Sequence, residues 1–462
     1  MSVLKREYGK EQPYIGCGMF KIRLPLIHFR FTGPEAITGL CNSVTSLAAI
    51  ATLVGILGIE NRQAWAVIVF SCLAYCLHWL LGDATVGGWI TPALALVIVF
   101  LNGYGEGIPR MQAMGALQIE LGVLFIVLGV TGCARKITGM VPPSIKAGIV
   151  MGTAVTAAFS QFKEGAGLYT YPITIFAGSM VVFYFMFSTY FKKHSERIHL
   201  FRIMGRFAFA CGVFVCLLVG AVTGEIDYSM VSFTQILATP DFAGAIRSMS
   251  PFYIGFAPAA TWFQALPIAF VAYIIAFGDF ITVKQLGMDA AREDELVDYN
   301  TNRTNVVCGL RNLFLGLLTP FPPLGGPMSA PYAVSTFQRY KNSGREGMDS
   351  IWDGYGTNMI LAVIGLFCYP LYLVALAGSG AVLAVLVMIQ GYVCTQIAVS
   401  LAGDKTDLGI AGMMSGVMVA RGGAWGIGIG ILLYFLLCGP EKIRQDYQFN
   451  LQKQKEEDEV LQ

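Results

Sequence analysis

The side chains best placed to do chemistry are the ionisable ones that interrupt long apolar stretches: Glu35, His78, Asp83, Glu120, Lys146, Asp279, Arg311 and Asp353. A charge at the centre of a membrane helix costs about 2.5–3.5 kcal/mol on insertion scales, so each needs a partner or a task. Asp279 is the strongest candidate. It lies in the run from Ala265 to Thr282, about 18 Å along a helix from Pro267 at 1.5 Å per residue, which sets it near mid-bilayer. A carboxylate there can bind a proton or Na⁺, or accept hydrogen bonds from a solute, with Thr282 one turn on and facing the same side. The other reading of Asp279 is a buried ion pair with Arg311 or Lys146. Glu35 opens the first apolar run, where a carboxylate suits a helix dipole. His78 with Cys72 and Cys76 lacks the second ligand pair that metal sites show, so no metal is expected. No P-loop or nucleophile arrangement points to an enzyme.

A second kind of chemistry is carried by broken helices. The segments Gly82-Asp83-Ala84-Thr85-Val86-Gly87-Gly88-Trp89-Ile90-Thr91-Pro92 and Phe321-Pro322-Pro323-Leu324-Gly325-Gly326-Pro327-Met328-Ser329-Ala330-Pro331 each join Gly-Gly, a hydroxyl and proline. Proline suits a helix's first turn and Thr91 is a fitting N-cap, so each reads as extended chain feeding a half-helix that starts inside the membrane. Two helix amino termini facing each other would present N–H groups and positive dipole ends to one ligand, favouring negative or electron-rich groups. Gly87, Gly88, Trp89, Thr91, Gly325, Gly326, Met328 and Ser329 are therefore candidate substrate residues, with Asn42 and Ser43 of the first helix as polar lining. Trp89 and Tyr273 fit either stacking on a planar solute or simple packing.

The elements that must position these residues are membrane spans. Of 462 residues, 55% are hydrophobic and 13% charged, which excludes a soluble globule; a formal net charge of +2 excludes a basic nucleic-acid binder. Apolar runs near 34–58, 64–82, 88–102, 111–133, 142–161, 171–191 and 203–223 form a first set of seven. Runs near 265–286, 304–319, 327–338, 351–376, 379–402, 407–420 and 422–438 form a second. The breaks open the third and tenth runs, matching places in two sevens, and an odd repeat inverts topology. Counted on this pattern, 24 Lys and Arg fall on the amino-terminal side, 5 on the other and 2 within spans. That bias puts both termini in the cytoplasm of a multi-pass protein of the cell (inner) membrane. The expected division is a cytoplasmic arm (1–31), a first repeat (32–223), an extracellular loop (224–258), a second repeat (259–438) and a cytoplasmic tail (439–462). The arm lacks the form of a signal peptide and is expected to be retained, its charges solvated.

Three stretches resemble the membrane domain shared by sulfate permeases (the SulP family) and nucleobase-ascorbate transporters. They are Glu35-Ala36-Ile37-Thr38-Gly39-Leu40, the placing of Pro267 twelve residues before Asp279, and Gly309-Leu310-Arg311-Asn312 followed by Gly316 and Phe321-Pro322-Pro323-Leu324-Gly325. Thr406-Asp407-Leu408 adds a fainter match. The resemblance implies an all-α fold of fourteen segments in a seven-plus-seven inverted repeat, with a core domain (segments 1–4 and 8–11) moving against a gate domain (5–7 and 12–14) as an elevator, and a homodimer through the gate. Two departures stand out. Nucleobase transporters place a second carboxylate where Met328 stands, and sulfate permeases append a STAS domain, whereas about 22 residues follow Pro440 here. The expectation is a secondary active transporter for a small anionic or polar organic solute, driven by H⁺ or Na⁺ through Asp279, with no other cofactor and no nucleic-acid partner. A nucleobase or heterocycle symporter, or an anion exchanger or channel of the same fold, is the alternative.

Overall fold

The apolar runs become helices in the computed structural model, which describes residues 4–459 apart from 48, 91–92, 135–140, 164, 196–197, 199–200, 202–203 and 205–207. In chain order the main helices of the first half are α1 (Gly33–Leu47), α2 (Ile50–Leu57), α3 (Asn61–Leu80), α4 (Leu94–Leu101), α5 (Ile108–Thr131), α6 (Pro143–Ser160), α7 (Pro172–Phe187) and α8 (Ala208–Thr223). After α9 (Phe242–Met249) come α10 (Ala259–Asp289), α11 (Thr301–Leu318), α12 (Ala330–Gly347), α13 (Ile351–Gly365), α14 (Tyr369–Leu401), α15 (Lys405–Arg421), α16 (Gly423–Leu437) and α17 (Pro440–Glu459). Among the described residues, Asn61–Leu80, Ile108–Thr131 and Ala259–Phe277 are long and apolar enough to cross a membrane singly. The paired segments Trp425–Leu437 and Pro440–Asn450, bent by 116°, would make a fourth. Two small sheets interrupt the helices. β1 (Ile15–Cys17) and β2 (Phe20–Ile22) form a hairpin in the arm, and β3 (Gly88–Trp89) pairs with β4 (Gly325–Gly326).

Several boundaries differ from the hydropathy reading for physical reasons. The first run divides into α1 and α2, and α2 stops where Gly58 takes a left-handed conformation. The tenth run, expected to end near 338, continues as helix up to a kink at Gly344, with a last turn to Gly347, through polar residues that find partners: Arg339 pairs with Glu35 at 2.9 Å and Lys341 donates to the Asp289 carbonyl. The break expected at 377–378 lies instead at 366–368, where Pro370 sits in the first turn of α14. Gly378 is a packing contact inside that helix, since a Cβ there would fall 2.1 Å from Leu217 of α8.

Packing divides the helices into two groups. In one, α5 lies on α11 and α10, and α1 on α13. Gly115 and Gly122 of α5 face Gly316 and Gly309 of α11, and an added Cβ at Gly309 would meet the Gly122 carbonyl at 2.7 Å. This backbone-to-backbone contact explains the seven-residue glycine spacing, as small residues let membrane helices approach. In the other group α6 packs on α14 and α15, and α7 on α8. There Met414 and Met418 of α15 fill the space left by Gly148 and Gly152 of α6 and by Gly430 and Gly426 of α16. A separate apolar cluster that includes Ile175, Val213, Ala381 and Val385 belongs to this second group.

The arm is not a solvated tail. Arg6 and Arg23 are buried, and both are paired. Arg6 reaches Asp294 at 2.7 Å, Asp349 at 3.6 Å and Glu295 at 3.9 Å, while Arg23 pairs with Glu11 at 2.8 Å and lies 4.0 Å over the Trp352 ring. Lys21 bridges Glu11 and Asp298, and its backbone and that of Arg23 donate to the carbonyls of Leu81 and Leu80 at the end of α3. The segments it clasps, at the end of α3, between α10 and α11, and between α12 and α13, belong to the first packing group.

Candidate functional site

The first break starts where α3 ends. Asp83 accepts hydrogen bonds from His78 Nδ1 at 2.6 Å and Thr304 Oγ1 at 2.5 Å, tying the start of the break to the beginning of α11. The second break is held by amides. Gly325 N–H donates to Asn312 Oδ1 at 2.8 Å and Asn312 Nδ2 donates back to the Gly325 carbonyl at 2.8 Å, so the side chain of α11 acts as a strand edge. Gln118 of α5 accepts from the Phe321 N–H at 2.7 Å. Leu324, one residue before β4, takes a positive φ of 52°, uncommon for a residue with a side chain and a sign of local strain.

The two breaks meet. Gly88 is paired with Gly326 and Trp89 with Gly325 in an antiparallel register, extended by Ile90 N–H to the Leu324 carbonyl at 3.1 Å and Ser329 N–H to the Val86 carbonyl at 2.7 Å. Gly88 has to be glycine, because a Cβ would lie 2.3 Å from the Met328 carbonyl. Arg311 of α11 is fully buried beside the crossing and donates to both strands, to the Gly88 carbonyl at 2.6 Å and the Gly326 carbonyl at 2.9 Å. Unpaired backbone carbonyls cannot be left in an apolar interior, and this guanidinium satisfies one from each half.

Gly87, Gly88, Trp89, Gly325, Gly326, Met328 and Ser329 are thus brought together, and Thr91 lies outside the described residues. Asn42 and Ser43 face α13 instead: Asn42 donates to Asn358 at 3.3 Å, and a Cβ on Gly365 would strike Ser43. Tyr273 is buried and its hydroxyl donates to Asn305 at 2.9 Å, with its ring edge-on to Phe125, so it joins α10, α11 and α5. Asp279 is half-buried in α10, with Thr282 three residues further along the helix, and it has no hydrogen-bond or ion-pair partner among the described residues. Arg311 is engaged with backbone and Lys146 reaches Asn450, so neither neutralises it. Glu120 of α5 also keeps one carboxylate oxygen buried without a partner. Glu35 carries more than a helix dipole, being bound to Arg339 and to Thr32 at 2.8 Å. Cys72 and Cys76 contact Ser46 and the Cys72 carbonyl respectively, away from His78.

With that geometry in place, comparison with solved structures is informative. The transmembrane domain of a cyanobacterium bicarbonate transporter, BicA, superimposes with a TM-score of 0.53 at 12% identity, covering 86% of this chain and 96% of that one. Murine Solute Carrier 26 family member A9 (Slc26a9), an anion transporter in the inward-facing state, gives 0.51 at 12% identity over 87% of this chain and 67% of that one. The chain has the fold of these membrane domains. Its structural neighbours are transporters, not enzymes. No family profile matches the sequence. No curated protein sequence matches it either. The sulfate-permease likeness read from the residues therefore holds at the level of fold, that of a mostly helical, multi-pass membrane protein.

Sequence reasoning missed the residues that hold the breaks in place. Thr304, Gln118 and Asn312 were passed over because they are uncharged, yet each is a buried polar side chain in a membrane helix and so must find a partner. Arg311 enters the sequence analysis as a possible ion-pair partner of Asp279 and as part of the Gly309-Leu310-Arg311-Asn312 stretch, with no role at the breaks. Its place one residue before Asn312 on α11 does not reveal which carbonyls it meets.

Proposed function

We propose that the protein is a secondary active transporter of elevator type that moves a small anionic or polar organic solute across the membrane, coupled to H⁺ or Na⁺. The observation that carries this reading is the antiparallel crossing of β3 and β4, which brings two broken segments from the two halves of the chain to one place. Irregular backbone is tolerated inside a membrane only where protein covers it or it lines a cavity, and broken helices at matching places mark transporter substrate sites. The helices that follow, α4 and α12, direct their amino termini toward the crossing, and that polarity suits an anion. The structural neighbours, a bicarbonate transporter and an anion transporter, agree with that choice. Met328, not a carboxylate, abuts Gly88, which favours an anion over a nucleobase.

In this reading fourteen segments form two inverted repeats, 32–223 and 259–438, joined by an extracellular loop, 224–258. The α5–α10–α11 group with α1, α2, α3, α4, α12 and α13 is the moving core, and the α6–α7–α8 group with α14, α15 and α16 is the gate through which two copies pair. Both termini lie in the cytoplasm, the membrane is the cell (inner) membrane, and Asp279 is the coupling carboxylate. Solute sits between Gly87–Thr91 and Gly325–Ser329. Uptake of bicarbonate, chloride, sulfate and uracil into proteoliposomes under an imposed H⁺ or Na⁺ gradient tests this. Uphill accumulation of an anion is expected. Purely dissipative anion flux would indicate a channel, gradient-independent counterflow an exchanger, and selective accumulation of uracil a heterocycle symporter.

A further inference from the structure

The crossing contains a buried cation with no counter-charge among the described residues. Arg311 is fully buried, its terminal nitrogens are used by the Gly88 and Gly326 carbonyls, and its guanidinium carbon lies 4.2 Å over the ring of Tyr75. No carboxylate pairs with it among the described residues. The neighbouring acid, Asp83, is occupied by His78 and Thr304. Carbonyl dipoles and a ring face offset part of a guanidinium's lost hydration, but they leave its unit charge in place.

One donor at the crossing is also unsatisfied: Arg311 Nε is buried and meets no acceptor among the described residues. Glycines let the two strands close on the guanidinium: a Cβ on Gly325 would come within 3.1 Å of Arg311 Nε, and one on Gly87 within 3.2 Å of its Nη1. A buried N–H that lacks an acceptor is a standing cost, and a ligand with acceptors and negative charge removes it. A cation or a donor-rich solute would add to it.

We propose that Arg311 sets the sign of charge this protein accepts: its guanidinium is the fixed positive charge behind the two strands, and the transported anion is its counter-ion. The proposal rests on the anion reading above and deepens it. The same side chain pins one glycine carbonyl from each break, so charge and geometry at the crossing are vested in one residue. Arg311 is a positioning and selectivity residue, acting through the strands it holds.

Two variants separate the roles. Lysine keeps the charge but is a compact ammonium without the planar fork that reaches two carbonyls at once, whereas glutamine keeps a donor and loses the charge. In proteoliposomes, with chloride, bicarbonate and sulfate as probes, Arg311→Lys is expected to lower the maximal rate with half-saturation within about threefold of wild type, because charge is retained. Arg311→Gln is expected to raise the anion half-saturation at least about tenfold, the scale seen when one member of a buried charge pair is removed. In detergent, chloride should raise the melting temperature of the wild type and of Arg311→Lys but not of Arg311→Gln. A wild-type half-saturation and chloride shift in Arg311→Gln would overturn the proposal, as would equal loss of anion affinity in both variants. If Arg311→Gln does not fold, Arg311→Lys decides alone, a tenfold loss of affinity there counting against the proposal. Wild-type protein that takes up no anion at all would instead overturn the anion reading, and the proposal with it.

Discussion

Two regions of this molecule treat buried charge differently. Where the arm packs, every buried cation has a carboxylate: Arg6 has Asp294, Asp349 and Glu295, Arg23 has Glu11, and Arg303 has Asp298 at 3.0 Å. Between the membrane helices, Arg311 meets two carbonyls and the Tyr75 ring, and neither Asp279 nor one oxygen of Glu120 has a partner among the described residues. The first arrangement spends its charges on joining distant segments of chain. The second leaves them open to something that arrives, an anion or a coupling ion, because an ion pair already closed has little left to offer a ligand.

The largest expected effect lies at the open charges. Asp279→Asn preserves shape and removes the site for a proton or Na⁺, so gradient-driven uptake should fall to background while the protein remains folded in the membrane. Wild-type uptake in that variant would remove Asp279 from the mechanism. Glu120→Gln sharpens the comparison, since Glu120 is the other carboxylate with an unpartnered oxygen; if its uptake is unchanged, lack of a partner is not by itself a mark of function. Next comes Arg6→Ala, which strands buried carboxylates in the arm contact and should cost about 3–5 kcal/mol. It should be read as a lower melting temperature and earlier proteolysis of the arm, with uptake per folded molecule retained. Lost uptake at an unchanged melting temperature would break the division between the two regions.

The two regions also differed in how far they could be read from sequence. The breaks were legible because glycine, proline and hydroxyl residues recur in the same order at both, and a local rule about helix starts applies to each. That they would pair strand to strand was not, since a two-residue register leaves no periodic signature. The long helices were legible as apolar runs, but α12 was cut short because its last turns are polar and find partners remote in sequence, Glu35 and the Asp289 carbonyl among them. The arm was misread for the same reason. Arg6 and Arg23 look like solvated charges until the carboxylates nearly 290 residues away, at Asp294, and beside them, at Glu11, are brought together by the fold.

A smaller effect is expected from pH. Hydrogen bonds from Arg292 and from Arg6 hold the Asp294 carboxyl down to about 2, below an unfolded value of about 3.9. Its contribution is therefore complete above pH ~4 and lost as pH falls toward 2, on the order of 2 kcal/mol. Glu295 is shifted up by burial, against the hydrogen bond from Ser350, so its effect on stability has the opposite sign: present when the solution is acid and lost as pH rises through its folded value. Amide exchange across residues 4–25 should show protection that falls below pH ~4 in the wild type, and Asp294→Asn should lack that fall. A fall of equal size in the variant would assign the acid response to another group.

The smallest effect is expected where an ion pair is short but wet. Lys10 and Glu7 meet at 2.6 Å, as close as any pair in the arm, yet their side chains are 70% and 72% exposed. Proximity raises the Lys10 ammonium and lowers the Glu7 carboxyl from their ordinary values, but water and salt screen an attraction that both side chains give up freedom to make. Glu7→Gln should leave the melting temperature, the amide protection of the arm and uptake indistinguishable from wild type. Arg6 has a comparable contact at 2.7 Å and differs in being buried. If Glu7→Gln instead destabilised the arm as strongly as Arg6→Ala, distance and not burial would rank the ion pairs of this protein, and the contrast between its closed and open charges would lose its physical basis.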